Sequence, residues 1–92
     1  MLKITTRIDP TETILELEGN LAGPWVRELE GCWQETAKSQ RSVKVLICGV
    51  TFIDDKGRDL LVEMYRHGAE LVAEGCMNKA IVDDIVRGKE PE

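Results

Sequence analysis

"SVKVLICGVTFIDDKGRDLL", residues 42–61, decides the fold. Its first twelve residues are the most hydrophobic run in the chain. Val43, Val45 and Ile47 alternate towards one side and Leu46 and Cys48 towards the other, the pattern of a central strand covered on at least part of each face. Cys48 then reads as a small buried hydrophobe. The run stops abruptly at Asp54, Asp55 and Lys56. After Gly57, the residues Leu60, Leu61, Met64 and Tyr65 repeat at i, i+1, i+4 and i+5, with Arg58, Asp59, Glu63 and Arg66 between them. That spacing predicts an amphipathic helix from about 57 to 67, closed by Gly68 as the residue beyond its end. His67 falls in the last turn, where a partly positive imidazole suits the helix dipole.

Working outwards, "LKITTRID" and "TETILELEG" each alternate with period two, and "DPTE" between them suits a turn, so they predict an antiparallel hairpin ended by Gly19 and Asn20. Pro24 is placed for the first turn of a helix. Leu21, Trp25, Val26, Leu29, Cys32, Trp33 and Thr36 form its apolar stripe, with both tryptophans as core anchors. Gly31 costs that helix about 1 kcal/mol relative to alanine, which suggests a close neighbour there. "AELVAEG" reads as a short strand. "CMNKAIVDDIVRG" carries Met77, Ile81, Val82 and Ile85 at helical spacing, and "KEPE" is a polar, frayed tail. The predicted order is β-β-α-β-α-β-α: an α/β fold with a small mixed sheet, parallel after the opening hairpin, and helices mainly on one face. Residues 1–92 form a single domain.

Composition narrows the function classes. The 92 residues carry a formal net charge of −5, with 42% hydrophobic and 32% charged residues. The cations are scattered among acids, against the phosphate neutralisation that nucleic acid binding needs. No apolar run approaches the roughly 20 residues that cross a bilayer, and "MLKITTRID" has no signal-peptide pattern. Cys32, Cys48 and Cys76 are odd in number and lack paired metal-ligand spacing, so neither a disulfide framework nor a zinc site is expected. These features predict a cytoplasmic protein with no metal and no cofactor.

Ligands of open α/β sheets gather beyond the carboxyl ends of strands, so Asp54, Asp55 and Lys56 invite an enzymatic reading. Two adjacent carboxylates suit Mg2+ in a phosphoryl-transfer or receiver-like site. Such a site draws its acids and lysine from separate strand ends, whereas here one loop supplies all of them, and the other strand ends offer only Asn20 and Glu74. There is no GxSxG elbow, no phosphate-binding glycine loop and no cysteine or serine in a recognisable arrangement with His67. Small-ligand or nucleotide binding near the loop is a further alternative. The bland reading is that Asp54 or Asp55 caps the following helix.

"GVTFIDDKGRDLL" (49–61) resembles the signature of the STAS domain, shared by bacterial anti-sigma factor antagonists and the cytosolic tails of sulfate transporters. That signature runs from an apolar strand through Ser/Thr-Phe and an apolar residue into Asp-Ser-Ser/Thr-Gly at a helix start. Thr51, Phe52, Ile53, Asp54 and Gly57 match it. "LEGNLAGPW" (17–25) is similar to the family's second strand entering its first helix, and the resemblance covers about 2–87. It implies a non-enzymatic protein-interaction module whose surface is the 53–57 loop and the next helix. Asp54 and Gly57 would shape the loop, and Asp55, Lys56, Asp59 and Glu63 would meet the partner. The partner implied is an anti-sigma factor kinase-like regulator or, alternatively, the ATPase of a lipid-transport ABC transporter. Lys56 stands at the family's phosphoacceptor position and cannot form a phosphoester, so the usual switch is expected to be missing; Thr51 is a nearby hydroxyl, expected to face strand or core. Typical members continue with a further strand and helix. A short C-terminus would leave a sheet edge open to a homodimer or to a partner's helix.

Overall fold

In the computed structural model, which describes residues 1–38 and 42–88, the chain runs β1 (Leu2–Ile8), β2 (Glu12–Leu21), α1 (Trp25–Ala37), β3 (Ser42–Ile53), α2 (Asp55–Arg66), β4 (Glu70–Val72) and α3 (Lys79–Val86). The four strands lie in the order β1-β2-β3-β4. β1 pairs antiparallel with β2, with Ile4 opposite Leu17, and the β2–β3 and β3–β4 pairs are parallel. This is the small mixed α/β sheet that the sequence predicts. The expectation for the tail "KEPE" falls outside the described residues.

Alternation sorts the strands. Leu15, Leu17, Val43, Val45, Ile47 and Leu71 point into one core with Leu29 of α1, Leu60, Leu61 and Met64 of α2, and Val82 and Ile85 of α3. Burial of this apolar surface is the main favourable term in folding. α2 sits centrally, touching α1, α3, β3 and β4, while α3 packs at the β4 end of the sheet. α2 closes as a Schellman motif: Gly68 N–H donates to Tyr65 O at 3.0 Å and Ala69 N–H to Met64 O at 3.0 Å. Gly68 takes φ +97°, a conformation that side chains rarely adopt.

The structure corrects several local expectations. Leu21 ends β2 rather than opening a helical stripe, because β2 keeps pairing with β3 as far as Leu21 opposite Ile53. Nothing lies within 4 Å of a side chain placed at Gly31, so no close packing explains that glycine. Trp25 and Trp33 are only partly buried, packed against the core edge. Met77 is 97% exposed, since α3 starts two residues later, at Lys79. The outer face of β3 is largely uncovered: Leu46 is half-buried and Cys48 exposed rather than buried, because the helices cover the opposite face.

β3 outlasts its partner β4. Pairing between them covers only Lys44–Leu46 against Glu70–Val72. Beyond it, the Asn78 side chain takes over the edge: its Nδ2 donates to Ile47 O at 2.7 Å and to Val50 O at 2.8 Å. A buried amide thereby satisfies two strand carbonyls that have lost their ladder partners.

Candidate functional site

The junction of β3 and α2 is organised by Asp54. Its backbone is extended, and its side chain caps α2, which therefore begins at Asp55, two residues before the glycine. Oδ1 accepts from Gly57 N–H at 2.7 Å, closing the helix N-terminus. Oδ2 accepts from Gly23 N–H at 3.0 Å, in the turn that leads into α1. The Asp54 N–H donates to Leu21 O at 3.2 Å. One residue thus ties three elements together: its carboxylate joins the approach to α1 to the start of α2, and its backbone N–H holds the end of β2. The choice between Asp54 and Asp55 as the cap is resolved for Asp54.

The hydrogen bond from Gly23, then that from Gly57, hold the Asp54 carboxyl below its ordinary value, and attraction from Lys56 adds to this. A depressed folded-state value means that the stabilisation is fully present above the unfolded value, near pH 4, and is lost as pH falls through the lowered one. Asp54→Asn keeps an acceptor for capping but removes the charge. Thermal melts should show the variant less stable than wild type at pH 7, with the gap closing as the pH falls below about 4. A gap that stayed constant with pH would mean that the charge contributes nothing.

Gly57 is buried, and a side chain there would run into the Leu21 carbonyl oxygen and approach Leu21 Cγ at 2.9 Å. The remaining sequence-predicted residues are displayed rather than packed. Asp55, Lys56, Asp59 and Glu63 are all exposed. Asp55, Asp59 and Glu63 stack at four-residue spacing, Lys56 beside them, on the side of α2 away from Gly57, Leu60, Leu61 and Met64. Towards the C-terminal end of this face, Glu63 O lies 2.8 Å from His67 Nδ1, and the His67 ring stands edge-on to Trp33 with centroids 5.4 Å apart.

The sequence does not reveal how three neighbours of the loop are placed. Gly23 donates to Asp54 through its backbone, which a side-chain pattern cannot reveal; only the Gly-Pro pair marks a turn. Phe52 is 55% exposed beside the loop, although the apolar run around it reads as core. Asn20 Oδ1 lies 2.9 Å from Thr51 Oγ1, whose other neighbour is Gly19 O at 3.3 Å. Thr51 is exposed, not turned into the core.

Among the described residues no three His, Cys, Asp or Glu side chains converge to hold a metal ion. Three shallow grooves, of about 600, 490 and 690 Å³, lie away from residues 53–57: along α1 by Cys32, between Trp33 and His67, and on the open sheet face by Leu46. No helix among the described residues is long and apolar enough to cross a membrane.

No protein-family profile matches the chain, and no curated protein does. Solved structures share its fold. The crystal structure of a protein designated Mglu superposes with a TM-score of 0.65 at 21% identity, over 79% of this chain and 19% of that one. The chain therefore spans less than a fifth of the length of Mglu, and at this identity the likeness concerns the fold.

Proposed function

We propose that the chain is a non-enzymatic, cytoplasmic protein-interaction module of STAS type, with the Asp54–Glu63 face as its docking surface. The observation that carries this reading is the division of labour at the β3–α2 junction. Asp54 and Gly57 are consumed in building a rigid corner, whereas Asp55, Lys56, Asp59 and Glu63 project from it into solvent. Charges displayed on a fixed element suit partner selection and steering. Both Asp54 oxygens already accept backbone N–H groups, which counts against Asp54 as the centre of a Mg2+-dependent phosphoryl-transfer site.

Lys56 is exposed where phosphoregulated members of the family present a hydroxyl. A lysine has no hydroxyl to form a phosphoester, so the module binds without a phosphate toggle at this position. This favours a constitutive role: either a regulator bound to an anti-sigma factor kinase-like protein, or the soluble subunit of a transporter ATPase. β4, paired with β3 over three residues only, is the edge strand on the C-terminal side of the sheet, and that edge offers a route to a homodimer or to a partner's helix.

Affinity capture with the tagged protein, run beside Lys56→Glu, tests the proposal. A specific partner should be held by the wild type and bound roughly tenfold or more weakly by the variant, the effect of about 1.4 kcal/mol from reversing one interfacial charge. The melting temperature should change little, because an exposed charge makes few packing contacts. Equal retention by both proteins would remove Lys56 from the surface. Mg2+-induced shifts of the amide signals at 53–57 would instead support the phosphoryl-transfer reading.

A further inference from the structure

Cys48 and Cys76 both border the turn after β4, at the corner where β3 runs past the end of that strand. Cys48 is exposed on the open face of the sheet, and its Sγ lies 3.4 Å from Glu74 O. Cys76 is half-buried in the turn that follows β4, with its Sγ 3.0 Å from Ala73 O. Both thiols thus address the same short turn, 73–76, one from inside it and one from the neighbouring strand. Asn78 fixes their relative placement. Its bonds to Ile47 O and Val50 O grip β3 on either side of Cys48 and hold the turn, with Cys76 two residues away, against that strand. Cys32 belongs to α1 and takes no part.

We propose that Cys48 and Cys76 are a redox modification site: they close a reversible intramolecular disulfide when the protein meets a low-molecular-weight disulfide such as oxidised glutathione. Cys48, the exposed thiol, loses its proton and attacks one sulfur of the oxidant, forming a mixed disulfide and releasing one reduced thiol. Cys76 then loses its proton and attacks Cys48 Sγ. The protein disulfide forms and the second reduced thiol departs. Two protein thiols are oxidised and one small disulfide is reduced, so atoms and electrons balance. The crosslink bolts the turn after β4 to β3, the connection that Asn78 makes in the reduced protein.

Hydrogen bonding to Cys76, with some desolvation and the negative charge of Glu74, raises Cys48 above its ordinary value. The thiolate is the attacking species, so the reaction should be slow at neutral pH and accelerate as pH rises towards 9.

The test treats the full chain with oxidised glutathione, blocks remaining thiols by alkylation and maps each cysteine by mass spectrometry. The expected product is a monomer lighter by two hydrogens, with Cys48 and Cys76 linked, Cys32 alkylated, and complete reversal by dithiothreitol. Cys76→Ser should instead stop at glutathione on Cys48, and Asn78→Ala should slow the crosslink several-fold relative to wild type. Glutathione persisting on Cys48 of the wild type, a disulfide-linked dimer, or two free thiols after prolonged oxidation at pH 9 would each overturn the proposal.

Discussion

Leu61→Ala is expected to destabilise the fold by about 2–5 kcal/mol. Leu61 is fully buried, and its helix is the one that contacts β3, β4, α1 and α3 together. Truncation removes apolar atoms from a site bounded on several sides by packed elements, so the cavity has little freedom to collapse. The cost is therefore expected well above that of a peripheral residue. For a domain of this size each kcal/mol lowers the melting temperature by about 4–8 °C, so the loss is read directly in a thermal or urea melt. A measured loss below about 1 kcal/mol would mean that Leu61 does not occupy the centre of the core.

Gly57→Val is the second large effect. A first-turn helix position ordinarily gains from replacing glycine, by up to about 1 kcal/mol for alanine. Here the new Cβ would collide with the Leu21 carbonyl oxygen and come within 2.9 Å of Leu21 Cγ and 3.2 Å of Ile53 Cγ2. The first obstacle is backbone, and Leu21 O also accepts the Asp54 N–H, so relief requires moving the end of β2 or the start of α2. Overpacking of this kind costs about 1–3 kcal/mol or more, which outweighs the propensity gain, and the branched valine adds to it. Urea denaturation should show a clear loss for Gly57→Val and a smaller one for Gly57→Ala. Alanine as stable as wild type would contradict the close approach of Leu21.

What the sequence made legible, and what it did not, follows from the range of each interaction. Alternation in 2–8, 13–17 and 42–47 defines strands because side-chain direction along a strand is a local property. The Leu60, Leu61 and Met64 stripe is local in the same sense and lands on the core. Asp54 as a cap was legible as one of two adjacent acids, since either residue has the chemistry; the Gly23 bond that engages its second oxygen crosses 31 residues and leaves no mark in a pattern. Cys48 reads as core because apolar character on both faces of a strand implies two covers, but the helices gather on one side of this sheet. Met77 fits a helical stripe in spacing alone; the turn held by Asn78 occupies that stretch instead. Phe52 and the exposed α2 charges were visible as residue types, while their shared exposure at one corner depends on the fold.

The most direct test of the central claim is amide chemical-shift mapping of the bound partner on the labelled chain. Perturbations are expected to concentrate at Asp55, Lys56, Asp59 and Glu63, reaching Phe52 at the end of β3 and sparing the rest of the sheet. Shifts confined instead to the open sheet face at Ile14, Leu46 and Val72, with the β3–α2 corner unchanged, would contradict it.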